Sequence, residues 1–313
     1  MGVLRRLTVL DEVLALGPPP LTREYNADVL TGICSIDPAE DPGEVGYSLS
    51  VRRETLDAIL VRRARSEPTV ELRERTVLRR LLTEKTRVAG AEIAHEAGSE
   101  HVRARVVVGA DGYASPVARL VDAPIQEQVS ASRAMYYRYA FGVPGPEGDP
   151  DGAEFSLADD ELAYVFPSDG STACVALSVN LRRFRQMRRD PGRAFSERLA
   201  AHPFLAPRIQ AGTWAGRLWG CGPRPAVVRV PWGLRWALVG DASLHQDPWT
   251  GLGMDNAAVH AVFLAEALDD VLSGRTTEQS AMATYHRRRD EHALRGFRET
   301  CELGRDLNAL RAS

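Results

Sequence analysis

Lysine is almost absent from this 313-residue chain: Lys85 is the only one among 39 basic residues. With a formal net charge of -3, there is no surplus of positive charge to offer a phosphate backbone, and nucleic acid is excluded as an expected partner. A GC-rich coding sequence accounts for the many arginines. The run Arg287-Arg288-Arg289, flanked by Asp290 and Glu291, reads as a solvated helix face. Cysteine is scarce too. Cys34, Cys174, Cys221 and Cys301 are scattered without Cys-x-x-Cys spacing, which excludes a zinc or dithiol motif and suits a reducing, cytoplasmic compartment; no metal site is expected. No apolar run approaches the ~20 residues of a membrane span. Asp11 and Glu12 interrupt the leading apolar stretch, against a signal peptide. Internal repeats and low-complexity tracts are absent as well.

What is present is a chain with 44% hydrophobic residues, long enough to bury a sizeable core and to form two domains. Its most informative stretch covers residues 238–257. Leu234, Trp236, Leu238 and Val239 make a short apolar run, read as a buried strand, that stops at Gly240, where backbone can approach a ligand closely. Asp241 then stands at the carboxyl end of that strand, where open α/β sheets bind ligands. Pro248 and the turn Gly251-Leu252-Gly253 lead into a helix, because from Met254 apolar positions recur at helical spacing as far as Leu272. The free N–H groups and positive dipole end of that helix would stabilise an electron-rich carbonyl edge.

Upstream, residues 102–108 read as a β run into Gly109-Ala110-Asp111-Gly112. Alone, that tetrapeptide is equally well an ordinary strand-to-helix turn. A third segment, Arg52-Arg53-Glu54-Thr55-Leu56-Asp57-Ala58-Ile59-Leu60, starts an amphipathic helix. Together the three resemble the FAD-dependent monooxygenases related to p-hydroxybenzoate hydroxylase. The form His245-x-Asp247-Pro248-x-Thr250-x-x-Gly253 is closer to a branch that also contains geranylgeranyl-reductase-like flavoproteins.

The resemblance implies that Asp241, after Gly240, bonds the ribityl hydroxyls, and that the backbone of Gly251, Leu252, Gly253 and Met254, beyond Pro248, meets the flavin pyrimidine edge. It implies that Asp111 and Gly112 face the pyrophosphate side of FAD and serve the nicotinamide cofactor. One of Arg52 and Arg53 is implied to reach the phosphate or ribityl region with its planar donor fork. Which one stays open, as does the reading of both as a solvated helix N-terminus.

The resemblance covers nearly the whole chain. Yet a flavoprotein of this kind is expected to begin with a strand, Gly-x-Gly-x-x-Gly and a helix in a ~30-residue unit, and no such fingerprint occurs in the sequence. Residues 1–20 resemble the family's later helix instead. The expected fold class is α/β with an α+β substrate part: an incomplete Rossmann-like FAD-binding domain, lacking its first βαβ unit, interleaved with an antiparallel-sheet substrate domain. A start codon placed too late, or a truncated gene, is the expected cause, and bare strand edges the expected consequence.

The FAD-binding domain is assigned residues 1–25, 51–125 and 231–313, and the substrate domain residues 26–50 and 126–230. Strands are read at 70–72, 77–82, 87–93 and 101–108, as a parallel strand and a small meander, then at 134–143, 161–167 and 172–179 for the substrate sheet, to which 26–50 adds. Residues 181–205 read as helix interrupted by Pro191 and ended by Pro203 and Pro207, covering one sheet face. Residues 278–310 give one or two closing helices.

On this resemblance the chemistry belongs largely to the cofactor: NAD(P)H reduces FAD, dioxygen forms a flavin hydroperoxide, and the protein orients a small organic substrate for hydroxylation or epoxidation while excluding water. No catalytic proton-transfer residue is assigned. Tyr136, Tyr137, Tyr139, Tyr164 and Phe166 lie on strands able to face substrate, although a sheet-core place is the commoner one for each. His245 either touches ligand or stabilises its turn. A halogenase of the same fold is disfavoured, since Trp232-Gly-Leu-Arg-Trp236 does not match a Trp-x-Trp-x-Ile-Pro segment and Lys85 lies near a turn. Two alternatives stay open: a flavin-dependent reductase of the geranylgeranyl-reductase-like type, and a truncated, non-catalytic remnant that cannot retain FAD. Membrane-surface association stays open because related enzymes act on lipophilic substrates, and oligomeric state has no readable motif.

Overall fold

Residues 1–28, 32–36 and 47–311 are described by the computed structural model. Helices and several sheets are combined in two compact units, one of residues 1–71, 132–223 and 303–313, the other of residues 72–131 and 224–302.

The first unit is built on a seven-stranded sheet in the order Thr213–Cys221, Arg133–Phe141, Thr172–Asn180, Glu161–Ser168, Ala153–Ala158, Glu24–Asp28, Gly32–Ile36. Its neighbours are antiparallel except for Glu24–Asp28 beside Ala153–Ala158, which run parallel. The substrate sheet read as antiparallel is therefore mixed. Strand side chains alternate between faces, and on one face Ala134, Tyr136, Val165, Val175 and Leu177 are buried with Met187, Phe195, Leu199 and Ile209. The latter four come from the helices Leu181–Met187, Pro191–Leu199 and Ala206–Ala211. Each large apolar side chain removed from water there contributes about 1.5–3 kcal/mol.

Local chemistry starts these helices. Asn180 Oδ1 accepts from Arg183 N at 2.9 Å and Asp190 Oδ1 from Arg193 N at 3.1 Å, each satisfying a first-turn donor. Pro191 thus opens a helix rather than breaking one, where its missing N–H costs nothing. Pro207 likewise sits in the first turn of Ala206–Ala211 and does not end a helix. The strand Ala153–Ala158 escapes the sequence pattern because its buried positions include Glu154 and Ser156, each 1% exposed. Arg208 pairs with Glu154, and Ser156 Oγ lies 2.9 Å from His202 Nδ1. The next turn, Asp159-Asp160, has both residues in the left-handed region (φ 54° and 51°), as a tight two-residue hairpin needs. Near the amino terminus two short helices, Gly2–Arg6 and Leu10–Leu14, stand where a single one was read, and Val9 and Val13 pack on Ile59 of the helix Arg53–Arg65.

The second unit contains the antiparallel meander Val77–Glu84, Arg87–His95, Gly98–Arg103 and two further three-stranded sheets. Residues 70–72 form no strand, and Val70 and Leu72 are exposed. The run read across 101–108 is divided between two sheets. Gly98–Arg103 completes the meander, Ala104 N still donates to Ala89 O at 3.0 Å, and Val107–Gly109 then pairs in parallel with Trp236–Leu238. Ile125–Val129, Ala226–Arg229 and Leu244–His245 form the remaining sheet. The helices Gly253–Leu272 and Glu278–Leu303 close the unit, burying Leu264, Met282 and Tyr285 with Ala237 and Val239, and Ala293 and Phe297 with Val228 and Leu244. Among the described residues, no helix is long and apolar enough to cross a membrane, and no group of His, Cys, Asp and Glu could hold a metal ion.

Candidate functional site

The two Gly-Asp segments emerge side by side. Val107–Gly109 and Trp236–Leu238 pair residue for residue, Gly109 opposite Leu238, and Val239 N donates to Gly109 O at 2.9 Å. Asp111-Gly112 and Gly240-Asp241 therefore lie beyond the carboxyl ends of adjacent parallel strands, the position open α/β sheets keep for ligands. The strands are packed tightly against the short helix Pro116–Leu120: a Cβ at Gly109 would lie 2.8 Å from both Leu238 Cδ2 and Val117 Cβ. Gly109→Ala is expected to destabilise the second unit by about 1–3 kcal/mol through overpacking, seen as a lower urea midpoint. An unchanged midpoint would mean slack between these strands that the contacts deny.

Asp111 Oδ2 accepts from Val117 N at 2.9 Å, and Ser115 Oγ from Ala118 N at 2.9 Å, so both side chains cap Pro116–Leu120. Gly240 has φ 61°, and a Cβ there would meet Ala257 Cβ at 3.3 Å. That contact brings the start of Gly253–Leu272 against the Asp241 turn. Among the described residues no side chain caps this helix, so its first N–H groups and positive dipole end are available to an anion or a carbonyl edge. Ahead of it, Asp247 Oδ1 accepts from Trp249 N at 3.1 Å and the buried Trp249 donates Nε1–H to Thr300 O at 3.0 Å. Pro248 opens that short turn, and Gly251, at φ 74°, ends it. Leu252 and Met254 are exposed.

Around Asp241 stands a polar cluster that sequence reading reached only in part. Asp241 Oδ2 lies 3.1 Å from Nδ1 of the buried His245. The His245 ring rests 4.4 Å from the ring of Tyr113, which follows Gly112, and the Arg224 guanidinium lies over the same tyrosine at 5.0 Å. Arg229 donates Nη1–H to Ala242 O at 3.0 Å. Burial holds its pKa below the usual arginine value, opposed by Tyr113 and Asp111.

The C-terminal helix clamps the second turn, and here one expectation is corrected. Tyr285 donates to Leu238 O at 2.7 Å, and burial pushes its hydroxyl up to about 12. Arg289 is not on a solvated face: it is 0% exposed. Its Nη1 donates to Ser243 Oγ at 2.7 Å and Arg229 O at 3.0 Å, and its Nη2 to Gln126 Oε1 at 2.8 Å. Arg289 Nε also lies 2.6 Å from Asp290 Oδ1, close but too misaligned for a hydrogen bond. Arg287 alone matches the solvated reading, pairing with Glu291, while Arg288 pairs with Glu266. The missed signal was spacing: Arg289 falls four residues after Tyr285 and four before Ala293 on the apolar stripe.

In the first unit, Arg52 is bound to Asp169 through its backbone N at 2.7 Å, Nε at 2.9 Å and Nη2 at 2.8 Å. Burial opposes ionisation of Asp169, but the Arg52 bonds outweigh it and hold the carboxyl below its ordinary value. Arg53 instead pairs with Asp57, one turn along its own helix, at 3.2 Å. Of the five aromatic residues considered for substrate, Tyr136 lies in the helix-covered core. Strand alternation puts Tyr137, Tyr139, Tyr164 and Phe166 on the opposite face, where Phe155 and Trp219 join them.

Residues 1–300 match the FAD binding domain family. The chain belongs to that family. As an FAD-binding protein it is an enzyme of the FAD-dependent oxidoreductase kind, and its second unit presents a half-exposed carboxylate, a left-handed glycine and, among the described residues, a helix start without a side-chain cap. It is 29% identical over 295 residues to digeranylgeranylglycerophospholipid reductase 1 of Methanopyrus kandleri, across 90% of this chain and 72% of that relative. Among solved structures, the myxobacterial chondrochloren halogenase CndH is similar at 20% identity and TM-score 0.82, over 92% of this chain and 68% of that one. The probable FAD-dependent monooxygenase PqsL of Pseudomonas aeruginosa is similar at 22% identity and TM-score 0.74, over 96% and 81%. At these identities the two structures establish the fold alone.

Proposed function

We propose that this protein holds the ribityl chain and ring of FAD at the paired Gly-Asp turns, and uses NAD(P)H and dioxygen to hydroxylate or epoxidise a small organic substrate. The observation that supports this most is the emergence of Asp111-Gly112 and Gly240-Asp241 from adjacent parallel strands, against the uncapped start of Gly253–Leu272. Asp241 accepts from ribityl hydroxyls through the oxygen not engaged by His245. Gly240 lets the backbone come close, Pro248 sets the entry to the next turn, where Gly251 N donates to Pro248 O at 3.0 Å, and the N–H groups of Leu252, Gly253 and Met254 donate to the carbonyl edge of the ring. Asp111, by capping the following helix, holds Gly112 for the pyrophosphate side. Bound FAD supplies the electron transfer and oxygen chemistry. Of the two arginines at the helix start in the first unit, Arg52 is committed to Asp169 and Arg53 is the more exposed. Tyr137, Tyr139, Tyr164 and Phe166 offer an apolar wall for substrate.

A second reading, a flavin-dependent reductase that saturates carbon–carbon double bonds without oxygen, is favoured by the 29% identity to the Methanopyrus reductase. Titration of the purified chain with FAD, followed by its visible spectrum, tests the flavin site. Asp241→Ala is expected to weaken binding about 10–100-fold, the loss of a hydrogen bond to a charged acceptor. A chain without bound or titratable flavin would instead be the non-catalytic remnant. Turnover with NAD(P)H under labelled dioxygen separates the two activities: label in the product supports the monooxygenase, and a saturated, unlabelled product the reductase.

A further inference from the structure

We propose that His245 is a positioning residue for Asp241: it fixes which carboxylate oxygen faces the ligand, and it couples the two Gly-Asp turns through Tyr113. The inference rests on the flavin reading for its binding readout only. A free aspartate rotates broadly about its last bond and presents either oxygen. Here Oδ2 is taken by His245 Nδ1 at 3.1 Å, and Asp241 is the outer partner, its side chain 41% exposed against 8% for His245.

The imidazole is itself held in place. The strand Leu244–His245 is paired with Ala226–Arg229, His245 opposite Val227, and Arg229 N donates to Ser243 O at 2.9 Å. The ring is backed by Tyr113 at a centroid distance of 4.4 Å and a tilt of 55°. Tyr113 comes directly after Gly112, and Arg224 lies over its ring at 5.0 Å. One tilted ring contact thus ties the second turn to the first. With a carboxylate as partner, the neutral ring must carry its proton on Nδ1 and donate it to Oδ2.

Packing alone predicts a different outcome from positioning, and two substitutions distinguish them. His245→Phe keeps a ring against Tyr113 and removes the donor. His245→Asn keeps a donor and removes the ring. Positioning predicts that His245→Phe weakens FAD binding about tenfold or more, the scale of a hydrogen bond to a charged group, with an unchanged urea midpoint, and that His245→Asn recovers part of the loss. Wild-type affinity in His245→Phe would overturn the proposal. The second readout needs no flavin: nitrogen NMR of the full chain should find His245 protonated on Nδ1, and Asp241→Ala should abolish that preference. An Nε2-protonated ring in the wild type, or no change in Asp241→Ala, would also overturn it. If the wild-type chain takes up no FAD at all, the flavin reading fails while the ring-nitrogen measurement still decides the role of His245.

Discussion

Arg289→Met is expected to lose about 3–5 kcal/mol of stability in the second unit, the usual result of removing one partner from a buried ionic network. Arg289 is fully buried, and its guanidinium serves Ser243, the carbonyl of Arg229, Gln126 and Asp290. Methionine fills similar volume but withdraws this donor from Ser243 Oγ and the Arg229 carbonyl, a desolvation cost of about 1–3 kcal/mol each, and removes the positive charge beside Asp290. Asp290 is the most exposed to the change. Burial raises its pKa, and it lies below the ordinary carboxyl value only because His286, Arg289 and Gln126 favour the charged form. Arg289→Lys keeps the charge without the fork and should fall between. Urea unfolding measures both. Because Ser243 directly follows the Gly240–Ala242 turn, the same variant should weaken FAD uptake at denaturant-free conditions. A loss under about 1 kcal/mol would show that the guanidinium is dispensable to the turn.

Acid should destabilise both units through buried neutral histidines. Burial, aided by His292 and Arg289 and opposed by Asp290, pushes His260 down to about 3; burial, aided by Arg198, pushes His202 down to about 4. Unfolded, each returns to about 6.5. Above that pH neither state binds the proton, and these groups leave stability independent of pH. Between about 6.5 and the folded value only the unfolded chain takes the proton, so stability falls as pH falls. Each histidine then contributes a loss of roughly 2–3 kcal/mol between pH 6.5 and 4.5, at about 1.4 kcal/mol per pH unit.

His260 has a second consequence, because neither of its ring nitrogens has a hydrogen-bond partner among the described residues while its side chain is 1% exposed. His260→Phe, beside Phe263 and His292, should therefore flatten the acid limb and raise stability at neutral pH by about 1–3 kcal/mol, the cost of unpaired buried polar atoms. His202→Phe should flatten the limb of the first unit but forfeit the bond to Ser156. Urea midpoints measured from pH 7.5 to 4.5 check both. A wild-type curve flat over that range would mean that the histidines gain protons in the folded state.

Some of this was legible at the level of single residues. Gly240-Asp241 and Asp111-Gly112 stand out because a glycine and a carboxylate that follow an apolar run form a local pattern, and local patterns survive in sequence. The helix from Gly253 and the helical cover over the first sheet are legible for the same reason, their apolar residues repeating every three to four positions. Less legible was whatever depends on polar residues facing inward. Glu154 and Ser156 disguise a strand, and Arg289 disguises the buried stripe of a helix, because each is accommodated by a partner distant in sequence: Arg208, His202 and Ser243.

By itself, then, the sequence determined the family and the two Gly-Asp turns, since these are set by backbone permissiveness and residue type over a few neighbouring positions. Only the tertiary structure decided that the two turns leave adjacent parallel strands, that Arg52 belongs to Asp169, that Tyr136 lies on the covered face of the sheet and Tyr137 on the other, and that His245 and Arg289 hold the Asp241 turn from within. Strand pairing and buried charge compensation join residues tens to hundreds of positions apart, and no periodicity along the chain records which distant partner will neutralise a given charge.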